Sequence, residues 1–289
     1  MKIDISIIVP IYKGKKYIDD IVLMVESNLA YCKRVGMYCT VELIFVNDYP
    51  GETLGICDKE LTDYDIVYIN NVKNCGIHKA RVIGIQSSRG QYILLLDQDD
   101  KIEENWIYTQ YSKIADSDVI VGNGYRMMNG ELRTIYKDSL KQSLTRIEDI
   151  YLLAANQIVS PGQCLIRKKS IPDEWMRNIV EINGGDDFYL WILMLETGCI
   201  FGRNEFKIYT HVDTGKNVSS NTIAMISSAR NVIRLLEKSA DVRKQAVKKY
   251  RRRIDFLEKH YLCKDKISKA YYDIAYIDIC VIKLISRLI

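Results

Sequence analysis

The sequence predicts an α/β fold with a mainly parallel sheet, and three observations support this class. Apolar runs rich in β-branched residues, such as Ile5–Val9, are typical of buried strands. Segments in which apolar residues recur at helical spacing, such as Tyr17–Tyr31, separate these runs. Polar residues follow the strand ends at Tyr12, Asn47-Asp48 and Asp97–Asp100, the edge where parallel sheets bind ligands. Strands that alternate with helices indicate βαβ units.

The alternation continues beyond the first strand and helix. The predicted strands are Val41–Val46, Ile66–Ile69, Tyr92–Leu96, Asp118–Val121 and Ile158–Arg167, the last interrupted by Ser160–Gly162. The predicted helices are Ile77–Ser87 and Asp186–Glu196, and Val212–Asn221 is predicted to be a loop. The turn pair Asn129-Gly130 predicts a hairpin over Tyr125–Tyr136.

The pattern becomes helical from Ile223 onward, which predicts two domains: residues 1–220 and a helical C-terminal extension over 221–289. The extension contains a basic run made of Arg243, Lys244, Lys248, Lys249, Arg251, Arg252 and Arg253. Its end, Tyr271–Ile289, mixes apolar residues with Lys283 and Arg287. These features predict either peripheral attachment to an anionic membrane surface, or helices that pack on the first domain or form an oligomer contact.

Composition and charge exclude several classes of protein. The 289 residues are 48% hydrophobic and 27% charged, as in soluble globular proteins. A net charge of +4 is too small to indicate nucleic-acid binding. Eight cysteines without a C-x-x-C pair indicate neither a zinc site nor a disulfide framework. With no signal peptide and no run of ~18 apolar residues, we predict a cytoplasmic protein, with peripheral contact at the inner face of the cytoplasmic membrane left open.

Asp97–Asp100 forms the strongest chemical motif. Carboxylates clustered at a strand end repel each other unless a cation lies between them. Oxygen ligands of this kind suit Mg²⁺ or Mn²⁺ bound together with substrate phosphates. We therefore expect Asp97 and Asp99 to hold a metal and a diphosphate. Asp100 is expected to cap a helix that opens at Lys101, because Glu103 completes a capping box.

Two further motifs point to a nucleotide. Asp48 follows the second strand, and its carboxylate either accepts the ring N–H of a uracil or forms the turn before Pro50-Gly51. In Asn74–Arg81, Gly76 permits close backbone approach, while Lys79 and Arg81 reach phosphate or ribose oxygens. The alternative is an ordinary helix start with solvated basic residues, and His78 is expected to be exposed and without a role.

Asp186, Asp187 and His211 are candidates for the remaining chemistry. The two acids begin a helix, so they either stabilise its N-terminus through the helix dipole or supply a general base that takes the acceptor's proton. His211 stands at a strand exit rich in polar groups, where it either holds a metal or phosphate or has only a structural role.

These motifs have a recognisable order. Ser6–Tyr12, Asn47-Asp48, Asn74–Arg81, Gly90–Ile93 leading into Asp97–Asp100, and Gly185–Asp187 follow one another between residues 3 and 220. The order resembles the inverting glycosyltransferases of family 2, which have the GT-A fold, especially bacterial enzymes of surface-polysaccharide assembly. The resemblance implies transfer of a sugar from a nucleotide diphosphate sugar to a glycan or lipid-linked glycan, with Mn²⁺ or Mg²⁺ as cofactor. We expect the donor to be a UDP-sugar, because the Asp48 carboxylate can accept the ring N–H of uracil.

The resemblance also implies a role for each motif. Donor-binding roles fall on Pro10, Tyr12, Asp48, Asn74, Gly76, Lys79, Arg81, Asp97 and Gln98. Metal-binding roles fall on Asp99, Asp97 and His211. The acid pair supplies the general base, with Asp187 favoured over Asp186. The chain departs from the family at Asn47, where a second Asp is usual, at Val82, where Asn is usual, and at Asp186, where Glu is usual.

Three other functions compete with this one. A nucleotidyltransferase needs a glycine-rich loop after the first strand, but Tyr12–Lys16 has one glycine. A phosphatase with an Asp nucleophile needs its acids after the first strand, and here they follow the fourth. A catalytically inactive nucleotide-sugar-binding module is disfavoured because Asp97, Asp99 and the Asp186-Asp187 pair are all present.

Overall fold

A computed structural model describes residues 3–54, 64–215 and 221–289. The strands are β1 Ile5–Ile11, β2 Val41–Asn47, β3 Asp65–Asn70, β4 Tyr92–Leu95, β5 Lys101–Ile102, β6 Val119–Met128, β7 Glu131–Thr134, β8 Cys164–Arg167 and β9 Phe201–Asp213. The helices are α1 Ile18–Arg34, α2 Ile77–Ser87, α3 Trp106–Tyr111, α4 Ser139–Ser143, α5 Glu148–Leu153, α6 Asp173–Arg177, α7 Asp186–Glu196, α8 Thr222–Leu236, α9 Lys244–Leu262, α10 Lys266–Ala275 and α11 Ile277–Leu288.

The strands form one mixed sheet in the order β3-β2-β1-β4-β8-β6-β9-β5, with β7 added beside β6. The first four strands in this order are parallel to one another. The strands β8 and β5 run antiparallel to their neighbours. The carboxyl ends of β1, β2 and β4 therefore meet at one edge of the sheet, as the sequence predicts.

Contacts divide the chain into two compact units. Unit 1 contains residues 1–136, 159–171 and 200–214, and unit 2 contains 137–158, 172–199 and 215–289. Unit 1 holds every described strand together with α1–α3, whereas the described elements of unit 2 are helical. This division differs from the sequence-predicted one, because two earlier segments group with the C-terminal helices. Catalysis by residues 1–220 stays a prediction.

Unit 1 is built on two fully buried strands, β1 and β2. The apolar stripe of α1, which includes Ile21 and Val25, packs in one cluster with Ile7 and Phe45 of these strands. On α2, Gly84 allows close approach to the sheet, since a Cβ there would meet Cγ2 of Ile8 at 2.3 Å. Unit 2 has its own buried aromatic residues, namely Tyr151, Trp175, Tyr189 and Trp191.

The structure confirms most predicted elements and corrects three. Lys101 does not open a helix: it begins β5, and the following helix starts at Trp106 after Asn105. The strand predicted from Ile158 is shorter, because Pro161–Gln163 is a 3-10 turn and only Cys164–Arg167 is extended. The loop predicted over 212–221 is strand as far as Asp213, and residues 216–220 lie outside the described residues.

Candidate functional site

The acids that follow β4 each have different partners, beginning with Asp97. One oxygen of Asp97 lies 2.5 Å from Nη2 of Arg81, which projects from α2 and is 3% exposed. The hydroxyl of Ser160 donates to the other oxygen at 3.0 Å. Both oxygens of Asp97 are therefore engaged, and the buried guanidinium fixes the carboxylate in place. The phosphate contact predicted for Arg81 stays a prediction.

Gln98 joins the ends of β4 and β1. Its Oε1 accepts a hydrogen bond from the backbone N–H of Tyr12 at 2.9 Å, and its Nε2 donates to the Tyr12 carbonyl at 3.3 Å. The glycine at position 14 makes room for this side chain, because a Cβ there would lie 2.1 Å from Oε1 of Gln98. Gln98 thus holds the backbone of the segment that carries the Tyr12 ring.

Asp99 has a raised pKa. Burial, the largest cause, and the negative charges of Asp100 and Asp97 together raise the pKa of Asp99 to about 6. The charge of His211 acts in the opposite direction. A carboxylate in this position is stabilised by any cation that binds beside it.

Asp100 is a buried connector and not a helix cap, which corrects the prediction made from its capping-box pattern. It is 1% exposed. Its Oδ1 accepts the backbone N–H of Val212 at 3.0 Å and lies 2.9 Å from Nδ1 of His211, while the hydroxyl of Tyr209 donates to Oδ2. All three partners lie on β9, so Asp100 ties the end of β4 to that strand.

His211 is oriented by this contact. With Nδ1 facing Asp100, Nε2 is the ring nitrogen left to face another group. Burial lowers the pKa of His211, but the hydrogen bond and the charge of Asp100 outweigh burial, so the net shift is upward. An imidazole held by a carboxylate in this way is the usual arrangement of a metal-binding histidine.

Asp48 organises the turn that leads into α2. Its Oδ1 accepts from the side chain of Asn71 and from the backbone N–H and thiol of Cys75, each at 2.9 Å, and its Oδ2 accepts from the N–H of Gly76 at 2.8 Å. Each carboxylate oxygen has about two lone-pair sites, and Oδ2 accepts only the Gly76 N–H among these bonds, so it retains one site for a ring N–H. Contact with a nucleobase stays a prediction. The turn that the Asp48 side chain orders is Asn71–Gly76, and not the turn before Pro50-Gly51 that the sequence offered as the alternative.

Gly76 and Asn74 complete that turn. Gly76 precedes α2 with φ 82° and ψ 159°, a conformation that disfavours any residue with a Cβ. Asn74 is exposed, and its Oδ1 accepts a hydrogen bond from the backbone N–H of Gly76 at 3.0 Å. Lys79 is partly exposed on the first turn of α2. His78 is 1% exposed, so the expectation that it lies on the surface is wrong.

The departure at Asn47 has a structural reason. The Nδ2 group of Asn47 donates to the carbonyl of Glu52 at 2.5 Å and to Oδ1 of Asn70 at 2.9 Å. Its Oδ1 accepts from the N–H of Tyr49 at 3.1 Å. An ionised aspartate could not donate these bonds, so asparagine suits this position.

An aromatic pair stands at the ends of β1 and β2. The rings of Tyr12 and Tyr49 meet edge to face with centroids 5.6 Å apart, and Tyr12 is 46% exposed. The ammonium of Lys13 lies 5.5 Å and 5.2 Å from the two centroids. Pro10 is buried in β1 before this pair. Exposed aromatic faces beside a cation suit a planar base and its phosphates.

Asp186 and Asp187 lie in unit 2, at the first turn of α7. Asp186 is 3% exposed, and its backbone carbonyl accepts from the Trp175 indole at 2.8 Å. Asp187 is partly exposed, and its Oδ2 accepts from the amide of Asn156 at 2.9 Å. Of the two carboxylates, that of Asp187 is the more accessible.

Four residues that contact the predicted site were not predicted from the sequence. Tyr49, Ser160, Tyr209 and Asn156 contact predicted site residues but belong to no recognised motif. Only Ser160 carried a signal, as part of the Ser-Pro-Gly interruption of a strand. Within the described residues, no group of three or more His, Cys, Asp or Glu side chains converges on a metal-binding position.

Comparison with known proteins places the chain in a family. A model of glycosyl transferase family 2 matches residues 6–175. The chain belongs to this family. The matched segment contains the ends of β1, β2 and β4 but stops before Asp186 and His211, so the family match does not extend to those residues.

Named relatives share parts of the sequence. Glycosyltransferase GlyA of Streptococcus pneumoniae is 28% identical over 162 residues, 51% of this chain and 21% of that protein. Glycosyltransferase GlyG of the same organism is 34% identical over 125 residues, 42% of this chain and 39% of that protein. The minor teichoic acid biosynthesis protein GgaA of Bacillus subtilis is 31% identical over 121 residues, 39% of this chain and 25% of that protein. The matches thus span less than half the length of these relatives.

Solved structures identify the fold. Residues 1–349 of S. aureus TarS superpose with a TM-score of 0.61 at 14% identity, covering 96% of this chain and 80% of that one. The same TarS fragment in complex with UDP-GlcNAc gives a TM-score of 0.63 at 15% identity, covering 96% and 81%. At this identity the likeness shows the fold, and the predicted GT-A fold is confirmed.

Proposed function

We propose that this chain transfers a sugar from a uridine diphosphate sugar to an acceptor hydroxyl with inversion at the anomeric carbon. The observation that carries the proposal is the set of side chains at the carboxyl edge of the sheet in unit 1. The Tyr12–Tyr49 pair, the turn ordered by Asp48 and the acids Asp97, Asp99 and Asp100 all follow neighbouring parallel strands there, and Arg81 and His211 hold the first and last of these acids. Family membership and the UDP-GlcNAc complex of the similarly folded TarS fragment support the choice of reaction and donor.

Different residues of this chain bind the base and the phosphates of the donor. Tyr12 and Tyr49 flank the base, and the free lone pair on Oδ2 of Asp48 accepts the ring N–H that uracil offers. Lys79 and Lys13 face the phosphates as cations. Arg81 neutralises Asp97, so that this acid can stand beside a diphosphate without repelling it.

The donor set after β4 fits a divalent cation. Since no three ligating side chains converge within the part of the chain that the structure describes, Asp99 and Nε2 of His211 would be the protein ligands, with donor oxygens and water completing the shell. One or two protein ligands plus substrate phosphates is the usual mode for Mg²⁺. When bound, such a cation stabilises the negative charge of the leaving diphosphate. Asp97 is engaged by Arg81 and Ser160, so we assign it to positioning.

We assign the general base to Asp187. An acceptor hydroxyl is a poor nucleophile at neutral pH, and a carboxylate must take its proton as it attacks the anomeric carbon. Attack on the face opposite the leaving group inverts that carbon. Asp187 is partly exposed and held by a neutral amide donor, whereas Asp186 is buried. A surface glycan or its lipid-linked precursor is the proposed acceptor, supported by the relative named for teichoic acid biosynthesis.

The proposal is tested with Asp99→Asn. Turnover of UDP-sugars in the presence of Mn²⁺ should fall by about 10³-fold or more, because several kcal/mol of charge stabilisation is lost. Mn²⁺ binding, measured by electron paramagnetic resonance, should weaken in the same variant. Asp116→Asn, which changes an exposed acid of unit 1, is the matched control and should behave as the unsubstituted protein.

Two results would contradict the proposal. The first is full turnover of Asp99→Asn, or of the unsubstituted protein in excess EDTA. The second is equal thermal protection by uridine and guanosine diphosphates, which would remove the assigned role of Asp48 in donor choice.

A further inference from the structure

The two C-terminal helices of unit 2 present many apolar side chains to solvent. Ile267 is 85% exposed, Ile274 74% and Leu288 69%. The other large exposed hydrophobic residues of α10 and α11 are Tyr271, Ile277, Val281, Leu284 and Ile285. On each helix these residues recur every three or four positions, so each helix has one apolar face in solvent.

A different face of these helices attaches them to unit 2. Tyr276 and Ile279 are buried, and Ile282 and Ile289 pack against a cluster formed by Leu144, Ile150 and Ala154. The ammonium of Lys141 also contacts the carbonyl of Ser286 near the end of α11. The exposed apolar faces are therefore not needed to hold α10 and α11 in place.

The basic run of α9 is used inside unit 2. Its ion pairs join Arg243 to Glu148 and Glu196, Lys249 to Asp149, Arg251 to Glu237, and Arg252 to Asp278. Arg253 is 8% exposed and lies over the rings of Phe188 and Tyr250. This run, which the sequence suggested as a membrane contact, is thus largely neutralised by packing and pairing.

Other cations border the exposed apolar faces. Lys264, Lys266 and Arg287 lie on or beside α10 and α11, and none is ion-paired with a residue that the structure describes. The acids of the same segment are engaged: Asp265 caps α10 through Ser268, Asp273 lies 3.6 Å from His260, and Asp278 pairs with Arg252. The rim of the apolar surface is therefore positively charged.

We propose that the exposed faces of α10 and α11 bind the surface of an anionic lipid bilayer. Aliphatic and tyrosine side chains enter the boundary between headgroups and acyl chains, and Lys264, Lys266 and Arg287 contact anionic headgroups. A symmetric pairing with a second copy would bring these like charges together, so charge favours the lipid surface. No described helix is long and apolar enough to cross a membrane.

The experiment compares co-sedimentation of the full chain with vesicles of phosphatidylcholine, with and without phosphatidylglycerol. Binding should require phosphatidylglycerol and weaken as salt is added, since exposed charges are screened. The double variant Ile274→Asn/Leu284→Asn should bind about tenfold less tightly or weaker. Lys264→Gln/Lys266→Gln should weaken binding to the anionic vesicles alone. Tyr38→Asn, which changes a residue of unit 1 that is 96% exposed, is the control and should bind normally.

The outcomes separate lipid binding from self-association and from loss of folding. Circular dichroism and the melting temperature should be unchanged in every variant, because the substituted side chains are at the surface. The proposal is overturned if the unsubstituted chain stays in the supernatant at low salt. It is also overturned if Ile274→Asn/Leu284→Asn pellets with vesicles as the control does. The same holds if sedimentation velocity shows that this double variant changes a dimer to a monomer while its vesicle binding is unchanged.

Discussion

The acids after β4 and the acids that begin α7 contain the same residue type in different surroundings. In unit 1, Asp97 is held by the guanidinium of Arg81 and Asp100 by the imidazole of His211, with Asp99 between them in sequence. In unit 2, Asp187 accepts hydrogen bonds from neutral donors, the amide of Asn156 and the N–H of Phe188. The acids of the first cluster are thus bound to basic side chains of α2 and β9, and Asp187 is bound to an amide and a backbone N–H.

The difference teaches which chemistry each cluster suits. Carboxylates fixed by cationic side chains keep a defined geometry for charged ligands. A carboxylate steadied by a neutral amide keeps its position while remaining able to accept a proton. We therefore propose charge stabilisation as the role of the acids after β4 and proton transfer as the role of the acids of α7.

The largest test of this assignment is a pair of substitutions in α7. Asp187→Asn should reduce turnover by roughly 10²–10⁴-fold while UDP-sugar binding persists, because it removes only the proton acceptor. Asp186→Asn should have a small effect on turnover, since this residue is buried. Turnover is measured at saturating donor, donor binding by calorimetry, and the product anomer by NMR.

Contrary results are easily recognised. Loss of donor binding in Asp187→Asn would place that acid with the charge-stabilising cluster and break the comparison. A product that retains the donor's anomeric configuration would exclude direct attack by the acceptor.

A smaller effect is expected from Asp100→Asn. The amide still accepts from the Val212 N–H but no longer holds His211 as a carboxylate does. Loss of such an orienting partner typically costs about 10–100-fold in metal affinity. Mn²⁺ affinity is measured by electron paramagnetic resonance, which reports binding independently of turnover.

The control for this prediction is Asp118→Asn. Asp118 also holds the sheet together, accepting from Ser170 and from the N–H of Ile200, but contacts none of the predicted site residues. This variant should melt at a lower temperature with unchanged Mn²⁺ affinity. Equal Mn²⁺ affinity in both variants would show that Asp100 only stabilises the fold.

Local signals in the sequence were sufficient for much of the fold. The Asn129-Gly130 pair predicted its hairpin because both residues adopt positive φ, 51° and 82°, as the tight turn requires. The predicted bounds of α2 are confirmed at Ile77 and Ser87, since Gly76 cannot continue the helix and Ser88 is extended. Apolar periodicity and turn residues act over a few positions, so one sequence reveals them.

Contacts between residues that are far apart in the sequence could not be predicted from such local signals. The spacing of Asp100 and Glu103 matches a capping box, but the pairing of β5 with β9 prevails and brings Tyr209 and His211 to Asp100 from more than a hundred positions away. The Tyr12–Tyr49 pair depends on the register of β1 and β2, which pairs Ile11 with Asn47. Positions of the site residues thus follow from the structure, while their catalytic and binding roles stay predictions.

The smallest expected effect concerns a third acid cluster, Glu148 and Glu196 of unit 2, which Arg243 bridges. Burial, the largest cause, and the hydrogen bond and charge of Glu196 outweigh the opposing effect of Arg243 and raise the pKa of Glu148 from 4.5 to about 7. Because the folded pKa lies above the unfolded one, Glu148 loses stabilising free energy as the pH rises from about 4.5 to about 7. Glu196 has a lowered pKa and acts only at lower pH.

Glu148→Gln should therefore flatten the dependence of melting temperature on pH in that window. At pH above the window the variant should gain on the order of 1 kcal/mol, or about 2–4 °C, because the like-charge pair is removed while Arg243 keeps Glu196. Glu181→Gln, an exposed position of unit 2, should leave the pH profile unchanged. Turnover should be unaffected by either substitution, since the comparison assigns catalysis to the other two clusters. If the melting temperature of Glu148→Gln depends on pH as steeply as that of the unsubstituted protein, the prediction is wrong. Arg243 would then already cancel the repulsion between the carboxylates of Glu148 and Glu196.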